Sequence, residues 1–143
     1  MNQQVLINVL LGRNRPLCSL EKDTVPFALS GKYDREGAAL NLRKCENLSQ
    51  HSFAVIFRVA LYDEEPDVKL ACIETLLHHD EHLGEIVACA TTFDDDPAVR
   101  DAALQVLVDI GSECSRTVAE RLVKDEDPMV AATALAILKA NDE

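Results

Sequence analysis

Two histidines stand four residues apart, His78 and His82, in the run His78-His79-Asp80-Glu81-His82. On one helix that spacing would set two imidazoles on the same face, as metal ligands require. The run falls where one helical pattern ends and the next begins, so a solvated turn accounts for it and no metal is implied. Ser19-Leu20-Glu21-Lys22 has the S-x-x-K form of some serine hydrolases, but the helical patterns around it do not suit that fold. No glycine-rich phosphate loop occurs. The five cysteines, Cys18, Cys45, Cys72, Cys89 and Cys114, are odd in number and lack C-x-x-C spacing. That spacing excludes a disulfide framework and a zinc site. Cys72, Cys89 and Cys114 fall within helical patterns and read as small buried apolar residues. This cysteine usage points to a reducing, cytoplasmic compartment.

The remaining chemistry is charge. Three acidic clusters, Asp63-Glu64-Glu65, Asp94-Asp95-Asp96 and Asp125-Glu126-Asp127, each stand directly before a proline: Pro66, Pro97, Pro128. Counting Asp67, ten carboxylates lie in three short stretches. Their partner would be a cation-rich surface drawn by long-range attraction. Residues 1–62 hold eight Lys/Arg and five Asp/Glu, while residues 63–143 hold six and twenty, within a net charge of −11. Such asymmetry fits two surfaces with different partners. The basic residues Arg13, Arg15, Lys22, Lys32, Arg35, Arg43 and Lys44 are scattered and lack aromatic stacking partners, which excludes a nucleic-acid groove.

The elements that place these clusters repeat every 31 residues. After each proline come Val68, Val99 and Val130. Then follow a small column (Cys72, Ala103, Ala134) and two large ones (Ile73, Leu104, Leu135; Leu76, Leu107, Leu138). These spacings place one apolar face on a helix in each copy. Asp96 and Asp127 sit at N-cap positions with proline first in the helix, where a missing N–H costs nothing; Glu65 is a poorer cap. Gly111 fits a C-terminal stop. Second helices over 82–93 and 113–124 complete the units, and His51, Ile56 and Tyr62 extend the alignment back to a helix over 49–62. A degenerate first helix over 34–45 would precede it, with Gly37 in the Val column and Asn41 in the small column. Residues 2–11 read as a further helix ended by Gly12, and residues 13–26, with two prolines, as a loop.

The motif Asp96-Pro97-Ala98-Val99-Arg100-Asp101-Ala102-Ala103, with Leu107 after it, resembles the short HEAT-like repeats of bilin-lyase-type proteins and bacterial scaffolds. The resemblance covers residues 32–143, most clearly from 63. It implies an all-α, right-handed solenoid of about three and a half helical hairpins. The implied domain runs from an N-terminal cap (1–31) through units at 32–62, 63–93 and 94–124 to a half unit at 125–143. The family's deoxyhypusine hydroxylases hold iron on His-Glu pairs. The matching places here are Lys69-Leu70, Arg100-Asp101 and Ala131-Ala132, so neither that activity nor that cofactor carries over. Bilin lyases are the other enzymatic relatives, and no local residues here mark a bilin site.

The sequence therefore favours a non-catalytic binding module with no cofactor. Bilin handling, or a small acidic chaperone or immunity protein masking a basic client, are the alternatives. Stacked units would set the acidic turns about 10 Å apart along one edge, within roughly one Debye length, so that their fields merge into a negative ridge. Helix capping and dipole effects alone would use fewer carboxylates. The resemblance implies that the second helices line a concave surface, where Glu85, Arg116 and Glu120 are candidate contacts. The last helix, from Met129 to Lys139, is apolar nearly all round, and Ala132, Leu135 and Ala136 are candidates for a homodimer or partner face. No apolar run approaches the ~20 residues needed to cross a bilayer. The start of the chain lacks the basic and small-residue features of a signal peptide.

Overall fold

In a computed structural model, described for residues 2–12 and 32–141, the chain is all-helical. Eight helices occur among the described residues: α1 (Gln3–Leu10), α2 (Lys32–Leu42), α3 (Gln50–Tyr62), α4 (Pro66–His79), α5 (Glu81–Thr91), α6 (Pro97–Asp109), α7 (Ser115–Leu122) and α8 (Pro128–Asn141). The chain divides into two compact units, residues 1–84 and 85–143, with the division inside α5. The loop expected over Arg13–Pro26 lies outside the described residues.

In the first unit, Asn2 caps α1 by accepting the Gln4 N–H at 2.7 Å. Gly12 ends that helix with φ 72°, a conformation that glycine adopts without strain. Leu6, Ile7 and Leu10 are buried, and α1 packs on α2 and α3. Gln3 ties it there: Nε2 donates to the Asn47 carbonyl at 2.8 Å and Oε1 accepts the Ser49 N–H at 3.0 Å. Ser49 in turn caps α3 through the Ser52 N–H at 3.1 Å. The degenerate helix α2 stops three residues earlier than the expected Cys45. There the N–H groups of Arg43, Lys44 and Cys45 turn to carbonyls only three residues back. Helix α2 packs on α4, where the wholly buried Thr75 hydroxyl reaches both the Ala39 carbonyl at 2.6 Å and its own helix at Ala71.

The link from α4 to α5 is one residue, Asp80. It brings α5 so close that a Cβ on Gly84 would lie 2.6 Å from the Leu77 side chain and 2.7 Å from its Cα. Glycine is there for close approach.

In the second unit, α8 packs on α6 and α7. Helix α6 ends in a Schellman motif at Gly111, φ 70°, with the Ser112 N–H on the Leu107 carbonyl and the Gly111 N–H on that of Val108. Helix α7 begins only at Ser115, later than the expected 113, because this turn and a capping bond from the Cys114 N–H to Ser112 Oγ occupy the intervening residues.

The repeat columns are the cores of the two units. Val68, Cys72, Ile73 and Leu76 are buried in α4, Val99, Ala103, Leu104 and Leu107 in α6, and Val130 and Ala134 in α8. Each large aliphatic side chain so buried contributes roughly 1.5–3 kcal/mol before the entropy of ordering it is subtracted. The cysteine expectation holds for Cys72 alone. Cys89 is half-buried and Cys114 is exposed, because Cys114 sits in the N-cap position of α7 rather than inside a helix.

Candidate interaction surface

The three acidic turns share one internal wiring. The first Asp of each accepts the backbone N–H two residues on: Asp63 from Glu65 at 2.8 Å, Asp94 from Asp96 at 2.9 Å, Asp125 from Asp127 at 2.9 Å. Such side-chain turns fix the chain's approach to the helix. The third residue is the N-cap. Asp96 accepts the Ala98 N–H at 2.8 Å, and Asp127 accepts those of Met129 and Val130 at 2.9 and 3.1 Å. Glu65 makes no capping bond, its longer side chain being poorly suited to that geometry. The middle residues, Glu64, Asp95 and Glu126, are exposed. Their carboxylates neither cap a helix nor accept a hydrogen bond among the described residues.

Arginines neutralise part of the remaining charge. In the first unit Arg35 of α2 forms a two-pronged ion pair with Asp63 and donates its Nε–H to the Leu10 carbonyl at 3.0 Å. In the second unit Arg100 of α6 pairs with Asp125 through Nε at 2.9 Å and a terminal nitrogen at 2.8 Å. Its other terminal nitrogen donates to the carbonyls of Asp94 and Asp95 at 2.9 and 3.0 Å. One guanidinium thus bridges the turns 94–96 and 125–127. The Arg100 bonds hold the Asp125 carboxyl below the usual carboxylate range, with burial opposing them.

These clamps were not found from sequence. Lys69, Arg100 and Ala131 occupy one repeat position, and a cation six residues after the first Asp was the available signal. Arg35 lies one helical turn before the matching position, which is Ala38, so no column displays it.

Of the second-helix candidates, Glu85 is half-buried and accepts the Ser112 hydroxyl at 2.6 Å. Arg116 and Glu120 are exposed and pair with each other at 3.1 Å. On α8, Ala132, Leu135 and Ala136 are exposed. Leu135 is 47% exposed where its repeat equivalents Ile73 and Leu104 are 0%. His78 and His82 are both exposed and lie on different helices, while the intervening His79 contacts the Leu42 carbonyl through Nε2 at 2.8 Å. No cluster of three or more His, Cys, Asp or Glu residues able to hold a metal occurs among the described residues.

Two exposed aromatics lie outside the contacts expected from sequence. Tyr62 is 72% and Phe93 70% exposed, at the same repeat position just before an acidic turn. Each has an arginine over its ring, Arg58 at 5.7 Å and Arg121 at 3.8 Å. In a chain with 4% aromatics, a repeated ring at that boundary was the legible sign.

A family model described as HEAT repeats matches residues 54–139, from within α3 into α8 and over more than half of the chain. The chain belongs to the HEAT-repeat family. Neither a curated protein nor a solved structure matches it. HEAT repeats generally mediate protein–protein interaction. In this HEAT-repeat protein no helix among the described residues is long and apolar enough to cross a membrane. The repeated columns of the match are core and cap positions, so they carry the fold and leave the binding chemistry to residues between them.

Proposed function

We propose that this HEAT-repeat protein is a non-catalytic, cytoplasmic scaffold that docks a protein with a basic surface, and binds neither nucleic acid nor membrane. The observation that carries this reading is the surplus carboxylate in every acidic turn. Asp63, Asp94 and Asp125 shape the turns, and Asp96 and Asp127 cap helices. Glu64, Asp95 and Glu126 do neither, and they face solvent. Tyr62 and Phe93, each next to an acidic turn, add apolar area to the same stretches and offer ring faces to cations. Charge of this kind steers a basic partner and is screened by salt.

The test is a pull-down from the native host at low and high salt, with the wild-type chain and a Glu64→Gln/Asp95→Asn/Glu126→Gln variant. A basic protein retained only by the wild type and only at low salt is the expected result. Retention that ignores both salt and the substitutions would sink the proposal.

A second reading concerns α8. Leu135 keeps the apolar identity of a buried column while lying open, and Lys139 is the only charge on the helix. On a molecule of net charge −11, an uncharged face is where two copies can meet with least repulsion. We propose this face as a homodimer contact. Light scattering should show a dimer that becomes a monomer on Ala132→Glu/Ala136→Glu. A monomeric wild type, or an unchanged mass in the variant, would remove the idea.

A further inference from the structure

Cys89 and Cys114 were read from sequence as separate core residues, but the fold brings them together. Cys89 lies on α5 one turn after Glu85, and Glu85 accepts the Ser112 hydroxyl at 2.6 Å. Ser112 Oγ in turn accepts the Cys114 N–H at 3.1 Å. This relay fixes the turn between α6 and α7 against α5. It sets the Cys114 thiol, exposed in the N-cap position, within hydrogen-bonding reach of the half-buried Cys89 thiol. The separation of 31 residues between repeats does not predict the pairing. Cys89 and Cys114 are 25 apart and occupy unrelated columns.

We propose that Cys89 and Cys114 form a reversible disulfide site, oxidised by low-molecular-weight disulfides of the glutathione class. The exposed Cys114, as thiolate, attacks one sulfur of the oxidant; a protein–glutathione disulfide forms and one glutathione thiolate leaves. Cys89 then loses its proton and attacks the Cys114 sulfur, expelling the second glutathione thiolate. Two thiols of the protein are oxidised and one disulfide of the oxidant is reduced to two thiols, so electrons and protons balance. The product joins α5 to the residue that precedes α7.

The two sulfurs are suited to different steps. The attacking group must be reachable, and Cys114 is. Cys89 is pushed up to about 11 by burial, by the hydrogen bond its thiol donates to Cys114 and by the nearby Cys114 and Glu85 charges, with Arg121 opposing. Burial, the largest of these causes, persists once Cys114 is in the mixed disulfide, so ring closure is the slower step and the mixed disulfide at Cys114 is its precursor. Cys72 is wholly buried, and burial raises its thiol pKa further still, so it stays inert. Cys45, half-buried and outside the relay, serves as an internal single-thiol control.

The test equilibrates the full chain in glutathione buffers of graded oxidation, quenches with an alkylating agent and maps the peptides by mass spectrometry. The expected product is an intramolecular Cys89–Cys114 disulfide, reversed by reduced glutathione, with Cys72 still alkylatable after unfolding. Cys89→Ser should trap glutathione on Cys114, and Cys114→Ser should leave Cys89 unmodified. Phenylarsine oxide, which bridges two neighbouring thiols, should protect the pair from alkylation in the unoxidised wild type and so needs no variant to fold. The proposal is overturned if the two cysteines carry separate glutathiones. It also falls if both remain alkylatable where Cys45 is already glutathionylated, or if the arsenical fails to protect them.

Discussion

The two compact units build the same 31-residue repeat with different local devices. In the first, Arg35 reaches Asp63 from one turn before the matching repeat position and also holds the Leu10 carbonyl at the end of α1. In the second, Arg100 occupies the repeat position itself and spans two acidic turns. The link from first to second helix differs as well. Asp80 alone joins α4 to α5, whereas Ile110–Cys114 separates α6 from α7. Both second helices nevertheless end at equivalent residues, Thr91 and Leu122. The repeat thus fixes where α4, α6 and α8 begin and which side chains the helices bury. How the chain enters the second helices α5 and α7 is free to vary, and the variable entry is where Ser112 and Cys114 find other work.

The largest expected effect comes from breaking the arginine clamps. Arg100→Ala removes four hydrogen bonds and leaves Asp125 with little exposure and without its hydrogen-bonded cation. Breaking a largely buried pair from one side should cost roughly 3 kcal/mol of stability. Arg35→Ala removes three hydrogen bonds, from a slightly more exposed arginine, and should cost less, roughly 2 kcal/mol. Urea denaturation gives both values, and equal losses would erase the contrast between the units. Acid provides a second reading. Since Asp125 is held below its ordinary value in the folded state, its contribution is complete above that ordinary value and is lost as pH falls through the lowered one. The wild type should lose stability over that acid range more steeply than Arg100→Ala, in which Asp125 lacks the hydrogen bonds that lower it most.

Much of the fold could be read from sequence because burial repeats. Val99, Ala103, Leu104 and Leu107 announce their face through spacing alone, and proline after an acidic cap announces where α6 begins. Candidate-site chemistry was less legible because it depends on pairs that no single column records. The Arg35–Asp63 pair is 28 residues apart and the Arg100–Asp125 pair 25, so neither matches the period. The expected ridge therefore includes Asp125 as available charge, although Asp125 is largely committed to Arg100. Cys114 was misplaced for a related reason. The periodicity sets it inside a helix, and only the left-handed turn at Gly111 moves the start of α7 past it.

The smaller effects lie in the glycines that close the two links. Gly84→Ala would press a methyl group against Leu77, including its Cα at 2.7 Å, so backbone must shift as well as side chain. Overpacking of that kind should cost roughly 2 kcal/mol, even after the better helix propensity of alanine is credited. Gly111→Ala meets nothing within 4 Å, and its whole penalty is the left-handed backbone at φ 70°, about 1 kcal/mol. Denaturation midpoints rank the two, and amide exchange locates each loss, at the start of α5 for Gly84→Ala and at the end of α6 for Gly111→Ala. A larger loss from Gly111→Ala would mean that the longer link is the more constrained entry, reversing the order inferred from the close approach of α4 and α5. A near-zero loss there would mean that the Schellman turn follows from the packing of α6 and α7 and does not direct it.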